Sequence, residues 1–326
     1  MRPLHIEKGK GKTVKVVRRR PLLIYSNALL LTFTFSLFTF SFCTVAAGQA
    51  GRRPRPSEES AVLLSIVATR EGSAENSPVT AKQVALFENG IEQPIQNFTP
   101  DPSPARIVLL VDNSLTIRAD VQKLEAAARE FAYEIYEGDK LLVVGYDEQA
   151  EIIADWTDDA KKIEDSLASF RKKGEPHLFD ALSAVTEEAL RPLTGTTQKR
   201  VIVIISDGLD RGSKAGFAEI LSRLQSQDIT VYALQAPDRT GGALRRDRPK
   251  PTQVVQQLAE GTGGLVFPIN ESREAAKAIC DELRKNRYLL SYAPTNFSYI
   301  DARRLLVVAE DGINLRYKTF QPPNIK

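Results

Sequence analysis

The sequence predicts an α/β fold: a doubly wound, mainly parallel sheet with a small accessory β module formed by N- and C-terminal segments. Three observations lead there. Residues 107–111 are five apolar residues without polar alternation, the pattern of a strand buried on both faces of a parallel sheet. Runs of the same kind return at 140–145, 201–205 and 230–234, each parted from the next by helical periodicity, which implies right-handed crossovers. Short strand candidates before residue 98 and after residue 288 exceed what one such sheet can take, and we expect them to pair with each other.

In chain order, the first twenty residues carry Arg2, Lys8, Lys10, Lys12, Lys15 and Arg18 to Arg20 against Glu7 alone. Residues 22–47 are then almost wholly apolar, and small residues follow at Ala46, Ala47, Gly48 and Ala50. A basic flank, an apolar core and small residues are the layout of a secretory signal peptide cut near Ala50. The apolar run also reaches the roughly twenty residues that span a bilayer, so an uncleaved anchor is the alternative. Either way the remainder is expected to be exported, periplasmic or extracellular, and to meet a membrane only through an uncleaved 22–47 segment. The first fifty residues hold eight of the 44 Lys and Arg and one of the 41 Asp and Glu. That leaves 36 against 40, a net −4, so the basicity belongs to targeting and gives no reason to expect nucleic acid. Only Cys280 lies beyond that segment, which excludes an internal disulfide in a cleaved product.

The expected division is a signal peptide or anchor over 1–50, a linker and small β segment over 51–104, the α/β domain over 105–287 and a C-terminal β segment over 288–326. Residues 51–58 are a polar tether, residues 61–68 a strand, and 84–98 two strands around the turn signal Asn89-Gly90. Val121, Leu124, Ala128, Phe131 and Ile135 mark the first helix, and Leu178, Leu182, Val185 and Ala189 mark another over 178–190 with Asp180 near its start. Residues 236–251 hold Arg239, Arg245, Arg246, Arg248 and Lys250 among Gly, Asp and Pro, and read as a solvated, mobile loop. A last helix over 272–286 precedes strand candidates at 288–293, 304–309 and 314–318.

The chemistry concentrates where two buried strands end. Asp112, Ser114 and Thr116 place a carboxylate and two hydroxyls on the turn after the first, and Asp207 follows the second. The carboxyl end of a parallel strand is where an α/β sheet positions its site, and hard cations such as Mg²⁺ take such oxygens. The plainer alternative is that Asp112 or Ser114 simply caps the following helix.

On these residues the sequence resembles the von Willebrand factor A domain. Asp112, Ser114 and Thr116 match its D-x-S-x-S motif, with Thr in the last place, and Asp207 of Ser206-Asp207-Gly208 matches its distant Asp. The resemblance implies a metal-ion-dependent adhesion site in which these four residues hold Mg²⁺ or Mn²⁺ and a protein ligand supplies a carboxylate. One position departs: the separate Thr of the family falls on Pro176, which has no side-chain oxygen, so a weakened site is expected. Glu175 and His177 flank it, and both are read as solvent-facing loop residues. The segments around the domain, notably residues 288–295, are similar to a group of exported bacterial proteins described as VWFA-related.

No catalytic apparatus is legible. A phosphate-binding G-x-x-x-x-G-K-[ST] loop is missing from the sequence, His5 and His177 are the only histidines, and Ser206 does not have glycine on both sides as a nucleophile elbow requires. The expected function is an exported protein-binding module with a divalent-cation site, not an enzyme. The alternative is a metal-independent structural or assembly protein of the cell envelope.

Overall fold

The computed structural model describes residues 61–71, 77–240, 250–295 and 301–323. The targeting segment, the tether over 51–58, and Arg245, Arg246 and Arg248 lie outside the described residues. The first strand, β1 (Val62–Arg70), buries Leu64, Ile66 and Ala68 on one face. Next come β2 (Val84–Glu88) and β3 (Ile91–Gln93), joined at Asn89 and Gly90, whose φ values of 50° and 81° are those a tight two-residue hairpin turn demands. The run expected as one strand up to Phe98 is in fact two. Pro94 has no N–H to give to a ladder, and the chain restarts as β4 (Ile95–Pro100) in a different sheet.

The central layer begins with β5 (Ala105–Asp112), followed by α1 (Val121–Glu134), β6 (Lys140–Tyr146), the antiparallel β7 (Ala150–Thr157) and α2 (Ala160–Leu167). Asp120 caps α1, accepting from the Lys123 amide at 3.1 Å. The chain then passes through α3 (Leu178–Ala184) to β8 (Lys199–Ser206), α4 (Phe217–Ser226), β9 (Thr230–Gln235), α5 (Pro251–Thr262), β10 (Val266–Pro268) and α6 (Ser272–Lys285). The helix expected over 178–190 is α-helical only to Ala184; Val185–Leu190 winds as a wider π turn. Pro192 follows, without an amide hydrogen and with a ring that crowds the carbonyl four residues back, and the helix ends there.

The strands order as β10-β9-β8-β5-β6-β7, all parallel but β7. Alternate residues of β5 feed two separate cores. Ile107, Leu109 and Val111 pack with α1, α2 and α6, while Val108 and Leu110 pack with α3, α4 and α5. A strand covered on both faces needs no polar alternation, which is why 107–111 reads as it does. Because β5 lies between β8 and β6, the chain reverses its winding at the β5/β8 boundary, where open α/β sheets form a crevice.

The tail supplies β11 (Arg287–Tyr292), β12 (Arg303–Ala309), β13 (Ile313–Tyr317) and β14 (Phe320–Gln321). These pair with the early strands as expected, in two sheets, β13-β1-β11-β4 and β14-β12-β2-β3, around one cluster that includes Leu64, Ile66, Leu86, Leu290 and Val307. Polar clips fasten this module where β9 begins. The Tyr232 hydroxyl donates to Glu282, which also accepts from Arg316. Arg287 donates to the Thr230 hydroxyl at 2.7 Å. Asp228 accepts from the Ser65 hydroxyl at 2.6 Å and pairs with Lys318 at 3.3 Å. Cys280 is buried in α6, and burial pushes its thiol well up, as befits an inert core residue. Among the described residues no helix is long and apolar enough to cross a membrane.

Burial alone would raise the Asp228 carboxyl, but Lys318, the Ser65 hydroxyl and Arg287 together hold it below its ordinary value. A depressed carboxyl stabilises the fold above its unfolded pKa of about 4, and that contribution is lost as pH falls through the lower folded value. Asp228→Asn tolerates the left-handed φ of 53° at this position and removes only the charge. It should cost about 1–2 kcal/mol at neutral pH, a difference that shrinks below about pH 4. Urea unfolding across that range measures it; a pH-independent difference would contradict the clip.

Candidate cation site

Parallel pairing in register between β5 and β8 sets Val111 beside Ile205, so Asp112, the last residue of β5, and Asp207, the first after β8, lie together at one end of the sheet. Both are fully buried, with 0% of either side chain exposed. Neither Asp112 nor Ser114 caps α1, which starts only at Val121 with Asp120 as its cap. The capping alternative therefore falls away.

Each carboxylate is held in place by short local bonds. Asp112 Oδ1 accepts from the Ser114 amide at 3.0 Å and the Ser114 hydroxyl at 2.5 Å. Its Oδ2 accepts from the Ser206 hydroxyl at 3.0 Å, and that hydroxyl in turn receives the Tyr146 phenol at 2.9 Å and the Gly208 amide at 3.0 Å. Asp207 Oδ1 accepts from the Leu209 amide at 3.0 Å. Burial pushes the Asp112 carboxyl above its ordinary value against the pull of Arg239 and Ser114, and it pushes the Tyr146 phenol up further still, helped by Asp112 beside it.

The four sequence-predicted residues meet on one group, and that group is the guanidinium of Arg239. Its Nη2 reaches Asp112 Oδ2 at 2.5 Å and Asp207 Oδ1 at 2.8 Å, and its Nε reaches Asp207 Oδ2 at 2.6 Å. Its Nη1 donates to the Ser114 hydroxyl at 2.8 Å and the Thr116 hydroxyl at 2.7 Å. An arginine side chain has five N–H donors, and these five bonds use them all. Burial works against the Arg239 charge, but Asp207 and Asp112 outweigh it and hold the guanidinium above its ordinary pKa. The expectation that Arg239 belongs to a solvated loop is thus corrected: 4% of its side chain is exposed.

Sequence reasoning missed Arg239 because its partners are distant in the chain. A signal was there to be read. Arg239 lies four residues past the end of β9, the strand beside β8, so its loop leaves the same edge of the sheet as Asp112 and Asp207.

The loop before α3 also reaches this edge. Its Lys173 amide donates to the Asn113 carbonyl at 2.8 Å, and its Gly174 carbonyl accepts from the Leu115 amide at 3.1 Å. Pro176 is buried there, and its carbonyl accepts from the Arg211 amide at 2.7 Å. Glu175 pairs with Arg211 at 3.2 Å and faces solvent with 45% of its side chain exposed, whereas the His177 ring lies against Gly212 and the residue is partly buried. Asp180 ties α3 to the next loop, accepting from the amides of Lys214 at 3.0 Å and Ala215 at 2.9 Å. Among the described residues no group of three or more His, Cys, Asp or Glu is placed to hold a metal, so a divalent ion here would rest on two carboxylates and two hydroxyls. Those are hard oxygens of the kind Mg²⁺ and Mn²⁺ accept, and the residues fit the ion by type.

Residues 107–209 match the sequence model of the von Willebrand factor type A domain. No curated protein matches the chain. Among solved structures, a Bacteroides fragilis aerotolerance-related membrane protein bearing multiple mutations to serine is 19% identical, covers 56% of this chain and 99% of its own, with a TM-score of 0.43. The conserved hypothetical protein BatB of Bacteroides thetaiotaomicron is 21% identical over 56% of this chain and 98% of its own, with a TM-score of 0.44. A von Willebrand factor type A protein of Catenulispora acidiphila is 10% identical over 82% of this chain and 75% of its own, with a TM-score of 0.46.

The turn after β8 depends on Gly208. Its φ is 85°, and a Cβ there would lie 2.2 Å from the Pro251 carbonyl oxygen and 2.4 Å from Val255 Cγ2. Gly208→Ala should therefore destabilise the fold by more than about 1 kcal/mol and disturb Asp207, its neighbour. Chemical denaturation measures the loss; a neutral result would show that the turn has slack.

Proposed function

Because residues 107–209 are a von Willebrand factor type A domain, we propose that the chain is an exported protein-binding module of that type, recognising its partner at the oxygen cluster. The observation that carries this reading is convergence. Asp112, Ser114, Thr116 and Asp207 leave two neighbouring strands and close on one cationic group at 2.5–2.8 Å. In the divalent form of the site these four residues hold Mg²⁺ or Mn²⁺, and the bound ion would offer a partner carboxylate a point of attachment. Leu115, 65% exposed between the two hydroxyl residues, gives that partner an apolar contact at the rim. The role proposed is binding without catalysis. Export follows from the basic and apolar character of residues 1–50.

A second reading, a metal-independent structural or assembly protein of the envelope, is favoured by one observation: Arg239 already supplies a positive charge to the cluster, with every N–H engaged.

Capture from an envelope extract on the immobilised protein separates these readings. Asp207→Asn should lower partner retention at least tenfold if the cluster recognises the partner, and Leu115→Glu should weaken it without moving the melting temperature. Retention indifferent to Asp207→Asn rules the cluster out as the recognition site. Loss on EDTA with recovery in Mg²⁺ selects the divalent form, while EDTA-insensitive retention that still needs Asp207 selects the metal-independent one.

A further inference from the structure

We propose that Arg239 is a tethered competitor of a divalent ion: guanidinium and metal are alternative occupants of one seat, and the chain keeps the ion out until Arg239 is withdrawn. The inference rests on the cluster being a cation site and adds what controls access to it. All four residues that would hold the ion are bonded to Arg239. Both oxygens of Asp112 and both oxygens of Asp207 are engaged by protein donors. A doubly charged ion among these acceptors would lie within a few ångströms of the guanidinium, in a site where no more than 4% of any of the three charged side chains is exposed. Repulsion at that distance and burial forbids joint occupancy.

The tether makes the competition strong. Arg239 sits on the segment directly after β9, its own amide donates to Asp207 Oδ2 at 3.1 Å, and Thr240 closes a turn around it by donating its amide and hydroxyl to Asp238 Oδ1, each at 2.7 Å. A side chain held this way competes as an intramolecular ligand, whose effective concentration for short tethers is on the order of millimolar or higher. A divalent ion must overcome that concentration. The cost of opening is nevertheless local. Withdrawal of Arg239 breaks contacts of the segment after β9 and leaves the β8–β9 ladder, which runs to Ser206 and Gln235, intact.

The test is Mn²⁺ binding by the full chain, followed by the loss of the free-ion electron paramagnetic resonance signal. Wild type, Arg239→Ala, Arg239→Gln and the double variant Arg239→Ala/Asp207→Asn are compared, with circular dichroism to confirm folding. Expected is one Mn²⁺ per chain in Arg239→Ala and Arg239→Gln, bound at least tenfold more tightly than by wild type and raising the melting temperature of those variants. Methylguanidinium added to Arg239→Ala should displace the ion, and the double variant should bind none. If Arg239→Ala does not fold, Arg239→Gln carries the comparison. Equal Mn²⁺ affinity in wild type and Arg239→Gln overturns the competition and leaves the cation site standing. A folded Arg239→Gln that binds no Mn²⁺ overturns the competition together with the divalent form of the site.

Discussion

Two carboxylates buried side by side are the constraint on which the rest of the site depends. Asp112 and Asp207 end adjacent strands, are shielded from water, and would repel each other without a positive charge between them. A buried carboxylate left without a partner costs several kcal/mol, so the positive charge of Arg239 between them is part of the fold. The surroundings serve the same end. The Ser114 amide and hydroxyl and the Leu209 amide each engage a carboxylate oxygen from its own turn, and the Ser206 hydroxyl reaches Asp112 from the neighbouring strand. These bonds hold the carboxylates in addition to those from the guanidinium.

The accessory module stays clear of that edge. Its clips gather at Asp228 and Thr230, where β9 begins, whereas Asp112 is the last residue of β5 and Asp207 the first past the carboxyl end of β8. From Val201, level with Thr230, to Asp207 the strand rises roughly 20 Å at about 3.3 Å per residue. The early and late β segments therefore brace one edge of the sheet and leave the opposite one to recognition. Covalent continuity helps, since α6 ends at Lys285 and β11 starts at Arg287 with a single residue between them.

Much of this was legible in the chain. The unalternating run 107–111 announces a strand buried on both faces, and a two-sided core follows from it: its odd and even residues enter different cores. Asp112, Ser114, Thr116 and Asp207 were singled out together, and the structure brings them together. Three features were not legible, each for a reason. Pro94 divides a run that looks continuous because hydrophobic pattern carries no record of which ladder a strand joins. The helix over 178–190 keeps its apolar spacing while its hydrogen bonding widens ahead of Pro192. Arg239 sits in a polar, Arg-rich stretch whose composition signals solvent, and only the lateral order of β9, β8 and β5 reveals that its loop opens over two carboxylates. An arginine in a loop at the carboxyl edge of a sheet should be weighed against every carboxylate on that edge.

The departure at Pro176 and the presence of Arg239 fit one another. A divalent ion needs oxygen ligands around it and replaces a missing hydroxyl by water. A guanidinium needs acceptors only as many as its N–H groups, and here five are supplied without any from residue 176. Pro176 therefore takes nothing from the arginine-closed site, whereas a metal-bound one would lack one ligand. With Arg239 in place the two carboxylates retain a net charge of −1, and a divalent ion would bring them to zero. In the proposed competition the arginine would be favoured by its tether and its geometry, and the ion by its charge. On that proposal the occupant of the seat would be decided by how firmly Arg239 and the turn that carries it, directly after β9, are kept down beside the exposed Leu115.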